Sequence, residues 1–304
     1  MTGPSPSGGG RAGTWTVLKI LRWTTGYLES KGLDTPRLDA EVLLADLLGL
    51  SRVQLYLNFD RPLDAGEQVG FRERVRRRAA REPAAYIIGR REFYSLDFKV
   101  NPQVLIPRPE TELLVDEALD LAHKRWPGRE LVLADVGTGC GAVAVALAVR
   151  LPSARLYAVD ASAPALTTAR ENAARHQAAD RIFFAQGDLL APLPADLSFH
   201  LIAANLPYVP RSAFDRMSPE VRDYEPRLAL DGGQDGLDLI RRLAAKARDR
   251  LRPQGAVLLE VWPDHAGPIR RLADELGYAR VRIIPDLAGR DRVAVLEVED
   301  QPGA

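Results

Sequence analysis

A glycine-rich stretch at residues 131–141 constrains the fold more than any other part of the sequence. It reads Leu-Val-Leu-Ala-Asp-Val-Gly-Thr-Gly-Cys-Gly, an apolar run followed by glycines at alternate positions. A short apolar run is typical of a buried parallel strand, and glycine lets the backbone approach a ligand where a Cβ would clash. Because an alanine-rich helix is predicted at residues 142–150, the sequence predicts the first strand–turn–helix unit of a nucleotide-binding α/β sheet.

The glycine pattern indicates an adenosine-containing cofactor but leaves its identity open. Gly137, Gly139 and Ala142 also satisfy the looser dinucleotide pattern G-x-G-x-x-G/A. Asp160 follows the next predicted strand, about 20 residues downstream, where a ribose-binding acid is expected. The pattern by itself does not separate NAD from S-adenosylmethionine.

Composition is that of an ordinary globular protein. The chain has 304 residues, of which 46% are hydrophobic and 27% charged, and a formal net charge of +0. The neutral balance provides no global field for nucleic acid. A single cysteine, Cys140, rules out an internal disulfide and a cysteine-rich metal site. We therefore expect a cytoplasmic protein with no membrane segment and no metal.

The sequence predicts four parts along the chain. Residues 1–14 are rich in Gly, Pro and Ser and predict a flexible leader. Residues 15–85 carry helical periodicity and cap signals, which predict a helical bundle that docks a partner. Alternating apolar residues within 86–104 predict a β-hairpin linker. Residues 105–304 are predicted to form the catalytic domain.

Arginine is concentrated in the last predicted helix of the bundle, residues 64–81. The arginines of this helix are Arg72, Arg74, Arg76, Arg77, Arg78 and Arg81. A solvated helix face explains such a run. The functional alternative is a basic surface for an RNA-bearing partner.

Strands and helices alternate from residue 131 onward. The predicted strands are 131–136, 155–159, 181–185, 199–204, 255–261, 281–284 and 292–298. Their alternation with helices predicts a doubly wound, mainly parallel sheet. The loop at 285–291 is too short for a helical crossover, so the last two strands should pair antiparallel. A seven-stranded sheet of this kind is typical of S-adenosylmethionine-dependent methyltransferases and not of dehydrogenases.

Asn205-Leu-Pro-Tyr208 follows the fourth predicted strand, where ligands bind on open α/β sheets. A simple proline turn would also explain the stretch. The chemistry of nitrogen methylation favours a functional interpretation. The nitrogen of a planar amide or aromatic amine is a poor nucleophile because its lone pair is delocalised, so a methyltransferase must hold its N–H groups with hydrogen-bond acceptors. The Asn205 side-chain oxygen and the Leu206 backbone carbonyl can do this, and Tyr208 can sandwich the planar group. The main contribution would be orientation with fixed dipoles.

Asn-Leu-Pro-Tyr resembles the Asn-Pro-Pro-Tyr motif of methyltransferases that act on planar nitrogens. Four further segments narrow the resemblance: Pro83–Gly89, Leu105–Glu112, Tyr224–Asp238 and Asp286–Arg292. Together they resemble the HemK/PrmC family, the peptide-chain release factor glutamine methyltransferases. The resemblance covers nearly all the chain from Trp15, and Ile-Pro-Arg-Pro-Glu-Thr-Glu is its most specific part.

The resemblance implies transfer of a methyl group from S-adenosylmethionine to the glutamine of the Gly-Gly-Gln loop in class I release factors, leaving S-adenosylhomocysteine. Residues Gly137, Thr138, Gly139, Cys140 and Gly141 would line the methionine and ribose, Asp160 would bind the ribose hydroxyls, and Asp188 and Leu189 would flank the adenine. Asn205, Leu206, Pro207 and Tyr208 would hold the substrate glutamine, with Asn205 beside the cofactor, and Arg108, Pro109 and Glu110 would form the pocket wall. We expect a monomer that binds no DNA directly.

Two departures from the family pattern stand out. Leu206 replaces the first proline of the motif, which keeps the backbone carbonyl but makes the turn less rigid. Val261-Trp-Pro-Asp-His265 replaces a smaller, more polar stretch, and core packing of Trp262 is favoured over ligand contact.

Two other functions remain open from the sequence. One is methylation of an adenine amine in RNA or DNA, since Asn-Leu-Pro-Tyr also occurs in enzymes that modify ribosomal RNA. Those enzymes place their helical domain after the sheet, and a neutral charge disfavours a large RNA footprint. The other is an NAD enzyme or a non-catalytic binder of an adenosine cofactor, which Gly141 and the Asn205 stretch disfavour.

Overall fold

The computed structural model describes residues 14–299. Contacts between Cα atoms divide the chain into two compact units, with the division between Ile88 and Gly89. Of the helices in the described range, none has the length and apolar content needed to traverse a bilayer.

The first unit is a bundle of five helices over the part of it that is described. They are α1 (Val17–Ser30), α2 (Pro36–Leu48), α3 (Arg52–Leu57), α4 (Ala65–Ala79) and α5 (Ala84–Ile88). Ser51 begins α3 and Asp64 begins α4 through reciprocal capping boxes, which satisfy backbone N–H groups at each helix start. The predicted end of the bundle at residue 85 falls inside α5, because Ile87 packs into the helical core.

Carboxylates of the same unit neutralise most of the arginine face of α4. The pairs are Arg74–Asp46, Arg76–Glu73, Arg77–Glu82 and Arg78–Asp39, with N–O distances of 2.5–2.9 Å. A guanidinium that is already paired offers little to phosphate. The contacts therefore favour a solvated, internally paired helix face over an RNA-binding surface.

The second unit is built on a seven-stranded sheet preceded by a small hairpin. Its strands are β1 (Arg90–Phe93), β2 (Leu96–Lys99), β3 (Val132–Val136), β4 (Arg155–Asp160), β5 (Ile182–Gln186), β6 (Phe199–Ala204), β7 (Leu251–Glu260), β8 (Arg280–Pro285) and β9 (Asp291–Glu297). Its helices are α6 (Glu112–Arg125), α7 (Ala142–Arg150), α8 (Ala163–Arg175), α9 (Pro219–Tyr224), α10 (Asp238–Ala247) and α11 (Ala266–Glu275). The order in the large sheet is β5-β4-β3-β6-β7-β9-β8.

The predicted fold class is confirmed. β9 runs antiparallel to both β7 and β8, as the short connection between the last two strands required. The largest boundary difference is at β7, which starts at Leu251 rather than at residue 255. Its first residue pairs with Phe199 before a bulge interrupts the register, so the strand continues past Gln254, which has a φ of 64°.

Strand order reverses beside β3. The chain moves outward from β3 to β4 and β5, and then returns to place β6 on the other side of β3. Val136 at the end of β3 is in register with Ala204 at the end of β6. The segments that follow these two strands therefore leave the same edge of the sheet side by side, where open α/β sheets bind ligands.

One buried amide fastens the β1–β2 hairpin to the second unit. Asn172 on α8 accepts a hydrogen bond from the Lys99 N–H at 2.8 Å and donates to the Lys99 carbonyl at 3.0 Å. Its Nδ2 also donates to the Cys140 carbonyl in the glycine turn at 2.8 Å. The hairpin predicted as a linker is thus packed on the sheet unit and tied to the glycine turn.

Replacing Asn172 with alanine is expected to lower the free energy of unfolding by about 1–3 kcal/mol, since the buried groups of Lys99 and Cys140 lose their partner. Equilibrium unfolding in urea measures the change. Gln186→Ala is the matched control, because that side chain is exposed and makes a single 3.3 Å bond to Ala161. Equal losses in the two variants would contradict a structural role for the Asn172 amide.

Candidate active site

The glycine turn after β3 is closed by backbone hydrogen bonds to β4. The N–H groups of Gly137 and Thr138 both donate to the Val159 carbonyl, at 2.8 and 3.0 Å. Gly137 has a φ of 76°, and a Cβ added there would lie 3.1 Å from Cδ2 of Leu206. Leu206, which replaces the family proline, therefore packs over the glycine and leaves no room for a side chain.

Asp160 at the end of β4 is oriented by backbone donors. Its Oδ2 accepts from the Gly139 N–H and its Oδ1 from the Ser162 N–H, both at 2.8 Å. Each carboxylate oxygen has a second lone pair, so both can accept a further hydrogen bond. Burial raises the pKa of this carboxyl, while the backbone donors oppose the shift.

Asp135 has a role in the turn that the sequence analysis did not assign. Its buried Oδ2 accepts from the Thr138 hydroxyl at 2.6 Å and from the Ala144 N–H at 3.0 Å. These bonds join the turn to the start of α7. Burial raises the pKa of Asp135 to about 6. The position of Asp135 just before the glycines is the sequence feature that could have indicated this role.

A cavity of about 370 Å³ opens between the glycine turn and the segment after β6. This volume is within the ~300–1,000 Å³ usual for small-molecule sites. The predicted site residues that line it are Gly137, Thr138, Gly139, Cys140, Asp160, Asp188, Leu189, Asn205, Leu206 and Pro207. Burial raises the pKa of the Cys140 thiol to about 12, so this group stays protonated at neutral pH.

Asn205 lies beside the glycine turn. Its backbone carbonyl is 3.6 Å from the position that a Cβ on Gly137 would take. Its side-chain Nδ2 donates to the Thr111 hydroxyl at 3.2 Å, and Thr111 also lines the cavity. The structure therefore brings the predicted nitrogen-binding segment and the predicted cofactor turn to one cavity.

The pocket wall predicted at Arg108, Pro109 and Glu110 is formed by neighbouring residues instead. None of the three lines the cavity, whereas Pro107 and Thr111 do. The reason lies in Glu225, which is buried and accepts hydrogen bonds from the Arg108 guanidinium and from the Ile106 N–H. The ion pair holds the Arg108 guanidinium against Glu225, and Pro107 and Thr111 face the cavity instead.

Tyr208 and Gly141 are also absent from the cavity lining. The Tyr208 hydroxyl donates instead to Oε1 of Glu260 at 3.0 Å, and its ring packs against Trp262 with centroids 6.1 Å apart. Trp262 therefore packs against Tyr208 and does not line the cavity, but it is only partly buried and lies outside the buried core. Gly141 faces α8, where a Cβ would lie 3.1 Å from that of Ala169.

Asp188 faces a partner that the sequence did not suggest. Its carboxylate forms an ion pair with Arg242 on α10, and both residues line the cavity. Leu189, the next residue, is buried and adds an apolar side chain to the same part of the cavity lining. Arg242 was missed because its partner lies far away along the chain, and no local pattern distinguishes it from other surface arginines.

Gly137→Ala is expected to destabilise the protein more than Gly139→Ala. Both glycines have a positive φ, 76° and 56°, which costs a residue with a Cβ about 1–2 kcal/mol. Only the Cβ at position 137 meets another atom within 4 Å, in Leu206 and Asn205. Adding Leu206→Ala to Gly137→Ala should recover part of the unfolding free energy, and equal losses at the two glycines would contradict the proposed contact.

Solved structures show the same fold at low identity. The N-terminal domain of human METTL16 in complex with SAH matches with a TM-score of 0.52 and 15% identity, covering 72% of this chain and 82% of that chain. The hMettl16 catalytic domain in complex with a 3′UTR hairpin matches with a TM-score of 0.56 and 16% identity, covering 74% and 83%. These similarities are evidence for the fold alone.

Sequence comparisons cover both units. The family described as PrmC N-terminal domain matches residues 19–89, and the family described as Methyltransferase domain matches residues 133–224. The release factor glutamine methyltransferase of Rhodopirellula baltica is 42% identical over 285 residues, covering 93% of this chain and 96% of that protein. The release factor glutamine methyltransferase of Geobacter sulfurreducens is 45% identical over 279 residues, covering 92% and 95%. The chain therefore belongs to the release factor glutamine methyltransferase family.

Proposed function

We propose that this protein transfers the methyl group of S-adenosylmethionine to the side-chain amide nitrogen of the glutamine in the Gly-Gly-Gln loop of class I release factors. The observation that supports this function most is the position of Asn205 beside Gly137 in one cavity. An amide-binding side chain and a cofactor turn are the two parts that such a reaction requires at close range.

The cavity residues fit S-adenosylmethionine. Gly139 lines the cavity without a side chain, in a place where a Cβ would meet no protein atom within 4 Å, so a ligand can approach the backbone there. Asp160 keeps lone pairs that can accept from ribose hydroxyls. Leu189 provides an apolar surface for an adenine ring. When bound, the cofactor would supply an electrophilic methyl group on a positively charged sulfur.

The acceptors after β6 suit a primary amide. The Asn205 side-chain oxygen and the Leu206 carbonyl would each accept one N–H of the glutamine, which holds the nitrogen still as its lone pair turns toward the methyl carbon. The nitrogen forms a bond to that carbon as the carbon–sulfur bond breaks, and it then releases one proton to water. Attack neutralises the sulfur's charge, so no strong acid or base is needed.

A protein substrate is favoured over an adenine in RNA or DNA. The relatives with 42–45% identity are named for release factors, and they match this chain through the helical unit as well as the sheet. Carboxylates also pair with the arginines of α4, which would otherwise be the main basic face of that unit. We propose that the helical unit docks the release factor in the cytoplasm and that the enzyme acts as a monomer without a metal.

Labelled methyl transfer tests the substrate directly. The enzyme, incubated with labelled S-adenosylmethionine, should label a class I release factor on its Gly-Gly-Gln glutamine, located by mass spectrometry of the peptide. A release factor with that glutamine replaced by asparagine is the control and should carry no label. Label on ribosomal RNA or DNA, with none on the release factor, would rule out the proposed substrate.

Asn205→Ala is expected to lower kcat by about 10²-fold or more, because one fixed acceptor of the reacting amide is lost. The dissociation constant for S-adenosylmethionine should change less than about threefold, since the glycine turn and Asp160 remain. Asn101→Ala removes an amide outside the cavity lining and serves as the control. Parallel losses in turnover and cofactor affinity would identify Asn205 as a cofactor ligand instead.

A further inference from the structure

His265 is a buried side chain near the carboxyl end of β7, and the reaction proposed above does not use it. It follows the last residue of that strand by five positions, and its exposed fraction is 4%. We infer that His265 is a positioning residue for that reaction, and the inference rests on the proposed function. Its neutral ring holds the loop at residues 230–236, and this loop holds the amide-binding turn at residues 205–208.

The hydrogen bonds of the imidazole determine where its proton is. The Trp262 N–H donates to Nδ1 of His265 at 3.3 Å, so Nδ1 carries no proton. The proton is therefore on Nε2, which donates to the Asp235 carbonyl at 3.1 Å. Burial lowers the pKa of His265 and favours the same neutral form. The neutral ring thus joins the segment after β7 to the 230–236 loop.

The 230–236 loop runs beside the end of the amide-binding turn as a short parallel bridge. The Val209 N–H donates to the Leu230 carbonyl, and the Gly232 N–H donates to the Val209 carbonyl, both at 3.0 Å. Both backbone groups of the residue that follows Tyr208 are therefore bonded to the loop. The position of the loop consequently fixes the path of the chain as it leaves the turn.

Two glycines of the loop lie directly against the turn. A Cβ on Gly232 would be 2.8 Å from the Pro207 carbonyl oxygen, and a Cβ on Gly236 would be 2.3 Å from the Tyr208 carbonyl oxygen. The same Cβ on Gly236 would be 2.9 Å from Cε1 of His265. These distances are too short for a real carbon atom, so only glycine lets the loop approach the turn and the imidazole this closely.

The position of the amide-binding turn decides how a substrate amide is held. Its first half is fixed by the end of β6 and by the packing of Leu206 over Gly137. Its second half is held from outside the cavity, by the hydrogen bond from Tyr208 to Glu260 and by the 230–236 loop. A shift of the loop would move the Leu206 carbonyl, and misplacement of a group by about 1 Å can lower a rate by about 10²-fold. The imidazole does not line the cavity, so it acts through the loop.

Two substitutions separate the two hydrogen bonds of His265. The amide nitrogen of glutamine can replace Nε2 and keep the bond to Asp235, whereas the amide oxygen of asparagine can replace Nδ1 and keep only the bond from Trp262. Each variant loses one bond, so a merely structural role predicts similar turnover in both. In the release factor assay, we expect His265→Gln to keep kcat within about twofold and His265→Asn to lower it by about 10–10²-fold.

Calorimetric titration with S-adenosylhomocysteine counts the folded sites in each variant and measures their affinity for the cofactor product. The dissociation constant should stay within about threefold of the wild-type value in both variants, because the imidazole lies outside the cavity lining. Equal kcat values for His265→Gln and His265→Asn would overturn the inference. So would a loss of affinity as large as the loss of turnover.

His200→Gln is the control for a change at a buried histidine. Nδ1 of His200 accepts from the Val132 N–H at 2.9 Å, near the amino end of β6 and therefore at the sheet edge opposite the cavity. Glutamine places no acceptor at that position, so the free energy of unfolding should fall. We expect kcat per folded site to remain unchanged, and a fall as large as that of His265→Asn would show that any buried histidine has this effect.

Gly236→Ala tests the loop without a change in the imidazole. The added Cβ would push against Tyr208, so kcat should fall by about tenfold or more while the dissociation constant for S-adenosylhomocysteine changes less than about threefold. Gly128→Ala is the matched control, since the two glycines have similar positive φ angles, 83° and 70°, and a Cβ at 128 meets no other part of the described chain within 4 Å. Full turnover in Gly236→Ala would contradict the role of the loop.

The two proposals fail in different ways. A wild-type enzyme that labels no release factor would disprove the proposed function, whatever His265 does. A wild-type enzyme that labels the release factor, together with a His265→Asn variant of full turnover, would leave the function standing and remove the role assigned to His265.

Discussion

The pairing of β3 with β6 is the interaction on which the site depends. These neighbours are in parallel register up to Val136 and Ala204, which are both buried. The register fixes where the two strands end, and thereby how far the glycine turn lies from Asn205. A shift of one residue would reverse the side-chain directions of a whole strand and bury different groups. The geometry of the cavity is therefore set in large part by the pairing and hydrophobic packing of these two strands.

Three acids at strand ends then organise the polar part of the site. Asp135 holds the glycine turn to α7, Asp160 is held by backbone donors, and Glu260 accepts a hydrogen bond from the Tyr208 hydroxyl. Burial raises the pKa of each, because the charged form is poorly solvated there. Their common position reflects a general property of parallel sheets, in which strand ends at one edge bring distant parts of the chain together.

The sheet and the glycine turn could be predicted from sequence because their signals are local. Apolar runs, glycine spacing and a short final loop are sufficient to predict a seven-stranded sheet with an antiparallel strand. The orientations of Arg108 and Tyr208 could not be predicted, since each depends on a carboxylate more than 50 residues away, Glu225 or Glu260. The contact of Thr111 with Asn205 could not be predicted either, because the two residues lie 94 positions apart in the chain. Within the sequence it reads only as part of a helix start.

Asn172 has a consequence that extends beyond its contribution to folding. Its single amide holds the Lys99 backbone in the hairpin and the Cys140 carbonyl in the glycine turn. The two segments therefore share one hydrogen-bonding group, and disorder in either weakens the bonds that hold the other. A ligand that orders the turn through this shared amide therefore also stabilises the hairpin. By thermodynamic reciprocity, a partner that binds and orders the hairpin increases the affinity for that ligand by the same coupling free energy.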